Sequence, residues 1–200
     1  MANKVLVIYG TVIPNEKSYS RTLAARFIKY YKVDNPKDEI INLDLNDDPM
    51  AVKTLTRDNF GTFFNTEDTD VYINQLKEVQ KVIVVCSMNN FNVSGLMKNY
   101  LDHVLVVDKT FSYKYSKKWG AIGLLPHLKV QILTTQGAPF GWYPWGNYTE
   151  YLKGTWEFVG ASVNQPILVA GTKVAPTNSL TPDELIDQYD EEIKKIVKTF

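Results

Sequence analysis

The sequence predicts an α/β protein of three layers: a doubly wound, parallel, five-stranded sheet covered by helices on both faces. Three observations carry that expectation. Short apolar runs recur along the chain, KVLVIY at 4–9, VIVVC at 82–86 and KVQILTT at 129–135. They are nearly unbroken by polar residues, as strands buried on both faces require. Between them lie segments with apolar residues at three- and four-residue spacing, the mark of helices packed on one face. Clusters of Gly, Pro, Asn and Ser separate the two kinds of segment. Strand alternating with helix is the pattern of parallel βαβ units.

The first strand, 4–9, ends at Gly10-Thr11, and Pro14-Asn15 hold the next residues in a loop. Ser18-Tyr19-Ser20 then opens a helix with Leu23, Ala24, Phe27, Ile28 and Tyr31 on its inner face. A strand, a small-residue loop and a hydroxyl-rich helix start make an anion site. Free backbone N–H groups point outward there, and the helix dipole favours negative charge. Thr11, Ser18 and Ser20 add hydroxyl donors, although Ser18 or Ser20 also reads as a plain N-cap. The sequence contains neither G-x-G-x-x-G nor G-x-x-x-x-G-K-[ST], so one phosphate fits better than two or three.

The second strand is EIINLDL at 39–45, broken by Asn46-Asp47-Asp48-Pro49. The paired aspartates read as a solvated turn rather than a metal or acid/base pair. Residues 50–69 carry only a weak pattern, with Phe60, Phe63 and Phe64 as an aromatic cluster, and a helix is expected over 70–79. The stretch from Lys81 to Leu105 is the centre of the chain. It holds the third strand, the turn Ser87-Met88-Asn89-Asn90-Phe91-Asn92, and a helix. Ser94 is the expected N-cap of that helix, and Leu96, Met97, Tyr100, Leu101 and Val104 form its apolar face.

Phe111 and Tyr113 suggest a short extended excursion or hairpin, followed by a lysine-rich turn at 114–118. The fourth strand, 129–135, runs into QGAPFGWYPWG at 136–146, a loop whose aromatic residues should cover a ligand or a neighbouring subunit. A helix over 149–159 and the fifth strand, QPILVA at 165–170, come next. Thr181-Pro182-Asp183-Glu184 is a capping box with proline at the first helical position. Ile186, Tyr189, Ile193, Ile196 and Val197 mark the buried face of the last helix.

Lys+Arg and Asp+Glu number 22 each, so there is no electrostatic footprint for nucleic acid or an anionic membrane, and neither is an expected partner. The single cysteine, Cys86, excludes an internal disulfide and reads as an inert core thiol. His103 and His127 read as structural, and no metal is expected. No apolar run approaches the roughly 18–20 residues that span a bilayer. A strand follows directly on Met1-Ala2-Asn3, so no signal peptide is expected. One domain over 1–200 and a cytoplasmic location are the resulting expectations.

The segment SMNNFNVSGLMKNYLDHV, residues 87–104, resembles the Met-x-Asn-Phe-Asn turn and Leu-Lys-Asn-Tyr helix of the FMN-dependent NADH azoreductases, relatives of the NAD(P)H quinone reductases. KVLVIYG at 4–10 and TFSYKY at 110–115 extend the likeness over most of the chain. The resemblance implies a flavodoxin-like domain with strand order 2-1-3-4-5. That order sets the first and third strands side by side and brings 10–20, 88–91 and 135–138 to one edge. It implies bound FMN, NADH or NADPH as electron donor, and ping-pong two-electron reduction of a quinone or azo compound. Cofactor contacts fall on Gly10, Thr11, Ser18, Tyr19 and Ser20 at the phosphate and on Met88, Asn89, Asn90 and Phe91 at the ring. Thr135, Gln136 and Gly137 flank the same ring edge. No side chain is expected to act as a catalyst, because the flavin carries the difficult chemistry. A homodimer is implied too, with 50–69 helping to build it and the mouth of the site.

This sequence departs from the family pattern in three places. Gly10-Thr11 stand where serines are usual, Met88-Asn89-Asn90-Phe91 replaces Met-Tyr-Asn-Phe, and Thr135-Gln136-Gly137-Ala138 replaces Ser-Arg-Gly-Gly. Two other readings stay open. A flavodoxin-like electron carrier without pyridine-nucleotide activity fits the fold, but such carriers are usually strongly acidic. An acyl carrier protein phosphodiesterase-type hydrolase would need a nucleophile, base or metal set that the sequence does not display.

Overall fold

A computed structural model describes residues 2–114 and 120–200; most of the expected lysine-rich turn lies outside them. The first half of the chain forms β1 (Lys4–Tyr9), α1 (Tyr19–Asp34), β2 (Glu39–Asp44), α2 (Val71–Glu78), β3 (Lys81–Ser87) and α3 (Gly95–Val104). The second half forms β4 (Phe111–Ser112), β5 (Ile122–Gly123), β6 (Lys129–Thr135), α4 (Tyr148–Phe158), β7 (Ser162–Val163), β8 (Ile167–Val169), α5 (Pro182–Asp187) and α6 (Asp190–Val197).

Alternate side chains of each central strand enter opposite cores, which is why these strands carry continuous apolar runs. Leu6, Ile8, Val82, Val84, Cys86, Val130 and Ile132 pack with Ile73, Leu76, Met97, Tyr100, Leu101, Leu152 and Trp156. Val5, Val7, Ile83, Val85 and Leu133 pack with Leu23, Phe27, Tyr31, Ile186, Ile193 and Ile196 on the other face. Thus α2, α3 and α4 cover one side of the sheet, and α1, α5 and α6 the other.

The main sheet is parallel throughout, in the order β2-β1-β3-β6, with β7 and β8 both on the outer edge of β6. This is the expected 2-1-3-4-5 order with its fifth strand in two pieces. Pro166 has no N–H to give a ladder, and the chain breaks there. The wholly buried Gln131 spans the gap: its Nε2 donates to the Gln165 carbonyl at 2.9 Å, and its Oε1 accepts from Asn164 Nδ2 at 2.8 Å. A polar residue inside an apolar strand thereby replaces the missing ladder bonds.

Three further expectations are modified. The last helix is two, α5 and α6, with Asp190-Glu191-Glu192 at the start of the second, where its dipole favours acids. Asp48 is more than a solvated turn residue. It accepts from Met50 N at 2.9 Å, and both its oxygens accept the Tyr72 hydroxyl at 2.6 Å. Phe63 is buried and stacks on the buried His103 with centroids 3.9 Å apart, while Phe60 and Phe64 are exposed. β4 and β5 form the expected hairpin. Among the described residues, no helix is long and apolar enough to cross a membrane.

Candidate functional site

The carboxyl ends of β1, β3, β6 and β8 converge on a cleft of about 180 Å³. Ile13, Lys17, Ser18, Tyr19 and Ser20 line it after β1, and Ser87, Met88 and Asn89 after β3. Thr135, Gln136 and Gly137 line it after β6, and Thr172 and Lys173 after β8.

Ser18 is the N-cap of α1, its Oγ accepting from Arg21 N at 3.3 Å and lying 3.2 Å from Ser20 Oγ. The cap satisfies the third helical amide only. Among the described residues the amides of Tyr19 and Ser20 meet no acceptor. The Tyr19 hydroxyl donates to the Leu180 carbonyl at 2.9 Å and pins this helix start to the loop beyond β8. Two open N–H groups, two hydroxyls and Lys17 meet at the head of a 16-residue helix, a donor set with the chemistry to hold one anion.

The segment after β3 is a two-residue hairpin turn. Asn89 N donates to the Asn92 carbonyl at 2.7 Å and Asn92 N to the Asn89 carbonyl at 3.1 Å. Asn90 and Phe91 sit at φ 45° and 71°, the pair of left-handed residues that a type I′ turn demands. Asparagine tolerates that region; phenylalanine rarely enters it. The amides of Met88 and Asn89 are spent inside the protein, on the Thr135 and Asn92 carbonyls. The backbone donors that remain open on this turn, among the described residues, are those of Asn90 and Phe91.

Phe91 faces away from the cleft toward the aromatic loop. Its ring centroid lies 5.1 Å from Tyr143 and 5.8 Å from Trp145, which are themselves 5.5 Å apart. A second cavity of about 210 Å³ lies between this loop and Gln136, which lines both.

Gly10 and Thr11 stand behind the cleft and shape it. The Gly10 amide donates to the Val85 carbonyl at 2.8 Å, and its carbonyl accepts the Ser94 hydroxyl. Thr11 is wholly buried, with its hydroxyl 3.1 Å from Ser87 Oγ. On the far wall, Gln136 Nε2 donates to the Ala138 carbonyl at 2.9 Å. Thr172 and Lys173 return their amides to the Gln136 and Gly137 carbonyls at 3.1 and 2.9 Å.

Ile13, Lys17, Ser87, Thr172 and Lys173 line the cleft without having been singled out in the sequence. Position was the available signal: Ser87 ends a strand, Lys17 precedes a cap, and Thr172-Lys173 follow the last strand on the ligand edge. No carboxylate, imidazole or thiol lines the cleft among the described residues. Cys86 lies beneath it, where burial pushes its thiol up to about 12, so no thiolate forms near neutrality. Burial also raises the Tyr148 hydroxyl, which donates to the Thr135 carbonyl at 2.8 Å and to the Cys86 carbonyl at 3.2 Å. Such a cleft can hold an anion and a flat polar edge, but it offers no nucleophile–base pair for hydrolysis.

Comparison with known proteins shows the family and the fold. A family model described as flavodoxin-like fold matches residues 3–195. A protein of Malacoplasma penetrans named FMN-dependent NADH:quinone oxidoreductase is 59% identical over 197 residues, covering 98% of this chain and 93% of that one. A protein of the same name from Mycoplasmopsis pulmonis is 55% identical over 197 residues, covering 98% and 99%. An azoreductase structure from Bacillus anthracis is similar with a TM-score of 0.81 at 24% identity, covering 99% of this chain and 100% of that one. An FMN-dependent NADH-azoreductase of the same species, solved with FMN, scores 0.76 at 23% identity, covering 98% and 99%. At those identities the solved structures are a likeness of fold.

Proposed function

This chain belongs to the flavodoxin-like family of FMN-dependent NADH:quinone oxidoreductases, and we propose that its cleft holds one FMN through which NADH reduces quinones. The observation that carries the reading is the pair of open amides at Tyr19 and Ser20, beside the Ser18 and Ser20 hydroxyls and Lys17, at the switch point of the sheet. That donor set fits a single phosphate. The open amides of Asn90 and Phe91, with Met88 and the Thr135–Gly137 segment, fit the polar edge and flat face of the ring.

FMN held there would supply the redox chemistry, hydride acceptance from NADH and two-electron delivery to the acceptor. The protein's part is binding, orientation and exclusion of water. The α1 start holds the phosphate, and the I′ turn, whose Met88 and Asn89 line the cleft, leaves the Asn90 and Phe91 amides open beside it. Phe91, Tyr143 and Trp145 offer aromatic surface beside the site for a planar acceptor, azo compounds included. Donor and acceptor take turns at one place, a ping-pong scheme.

A homodimer belongs to the same reading. Phe140, Trp142 and Trp145 are 64%, 57% and 71% exposed on one loop, more apolar surface than a monomer usually leaves to water. A two-fold assembly would cover it. The whole chain acts as one FMN-binding domain in the cytoplasm, where the free Cys86 thiol is at home.

The test is spectroscopic. The purified chain incubated with FMN should carry one flavin, excess NADH should bleach it without air, and a quinone should restore the spectrum. Steady-state plots should then be parallel. A bound flavin that stays oxidised under excess NADH would make the protein an electron carrier.

A further inference from the structure

Two lysines face the cleft and are held differently. Lys17 ends a short 3-10 turn, Asn15–Lys17, immediately before the cap of α1, on the phosphate side. Lys173 comes from the opposite wall, and its backbone is clamped to the loop after β6 through the Gly137 carbonyl at 2.9 Å. Its stem lies over Gly137: a β-carbon there would stand 2.9, 3.1 and 3.4 Å from Lys173 Cδ, Cγ and Cβ. Any side chain at 137 would displace that stem. Glycine therefore leaves room for the stem of this cleft-lining lysine, and no carboxylate pairs with its ammonium among the described residues. Beside it, Gln136 stands where the family pattern has arginine, and its amide is turned inward to the Ala138 carbonyl.

An unpaired cation on this wall suits a ligand whose ring gains negative charge. The oxidised flavin ring is neutral. Hydride transfer moves two electrons and a proton, converting NADH to NAD⁺ and leaving the reduced ring anionic. The phosphate has the same charge in both oxidation states, so a lysine paired with it biases the couple less than one beside the ring. We propose that the Lys173 ammonium offsets the charge which the FMN ring gains on reduction, and so raises the midpoint potential of the bound cofactor. The inference rests on FMN occupying this cleft.

Dye-coupled reduction titrations of the holoprotein test it, with Kd values for FMN and riboflavin measured alongside. Lys173→Met keeps the stem and removes the charge, and as an exposed position it should fold normally. The preference for reduced over oxidised FMN should fall about tenfold, a potential about 30 mV more negative for a two-electron couple. Oxidised FMN should bind within about twofold of wild type, and Lys173→Arg should restore the potential. Lys17→Met should weaken both oxidation states and shift the potential less than Lys173→Met does. An unchanged potential in Lys173→Met overturns the proposal. So does a variant that loses FMN affinity but not riboflavin affinity, since Lys173 would then be a phosphate ligand. A wild-type chain that binds no flavin overturns the functional reading itself, a different outcome from a variant that binds flavin as wild type does.

Discussion

A β-carbon on Gly10 would stand 2.6 Å from Met97 Cε and 2.9 Å from Met97 Cβ. The strand that opens the phosphate loop therefore touches the helix that follows the I′ turn, and the Ser94 hydroxyl on the Gly10 carbonyl closes the contact. Glycine is required here for close approach, at a position that does not itself line the cleft.

Gly10→Ala should accordingly lower stability by about 1–3 kcal/mol through overpacking. Urea unfolding reads this as a lower midpoint with an unchanged slope. An unaltered midpoint would mean that Met97 moves aside freely.

The two serines of the α1 start should separate in their effects. Ser18→Ala removes a cap worth about 1 kcal/mol of stability and shifts apo unfolding. Ser20→Ala leaves apo unfolding near wild type but removes a hydroxyl from the anion site. Losing one hydrogen bond to a charged group is worth roughly 1.5–3 kcal/mol, so FMN affinity should fall about ten- to a hundredfold. Equal FMN affinity in Ser20→Ala and wild type would move the phosphate elsewhere.

Asn90, at φ 45°, tests whether backbone or side chain matters in the turn. Asn90→Gly keeps the left-handed conformation at little cost, whereas Asn90→Ala pays about 1 kcal/mol to stay there. FMN binding and the rate of flavin bleaching by NADH should survive the glycine and suffer from the alanine. Equal losses in both variants would assign the role to the amide side chain.

At the opposite end of the sheet, Asp38 accepts Asn3 N at 2.8 Å, Asn3 Nδ2 at 2.9 Å and the Tyr31 hydroxyl, while Lys81 Nζ donates to Tyr31 Oη at 3.0 Å. Burial pushes the Asp38 carboxyl up, but the Tyr31 and Asn3 hydrogen bonds and the Lys81 charge together hold it below its ordinary value. A carboxyl with a lower pKa folded than unfolded stabilises the protein above its unfolded value and loses that contribution as pH falls through the folded one. Asp38→Asn should thus be less stable by about 1–3 kcal/mol at neutral pH. Its deficit against wild type should shrink once the pH drops below about 4. A deficit that is constant from neutral pH to strong acid would place the Asp38 contribution in packing rather than charge.

Element identity and the main caps were legible because they depend on neighbours in the chain. The length of an apolar run separates β3 from α3, and Ser94 and Thr181 announce their helices within four residues. The loops that meet at the cleft were legible too, since strand–helix alternation alone implies a switch point with carboxyl-terminal loops around it. The sequence also names Ser18, Tyr19 and Ser20 as the head of α1, but not which amides its cap leaves open.

What tertiary structure decided was everything that depends on partners distant in the chain. Gln131 is a defect in an apolar strand until β7 and β8 break beside it. Thr11 reads as a phosphate hydroxyl until Ser87 takes it into the interior. Lys173 is one surface lysine among many until Gly137 makes room for its stem. Local spacing sets which segments are helix and strand, because backbone hydrogen bonding and side-chain periodicity act over a few residues. Which side chain reaches the cleft depends on the space its distant neighbours leave, and in a close-packed interior that is settled only when all the layers are in place.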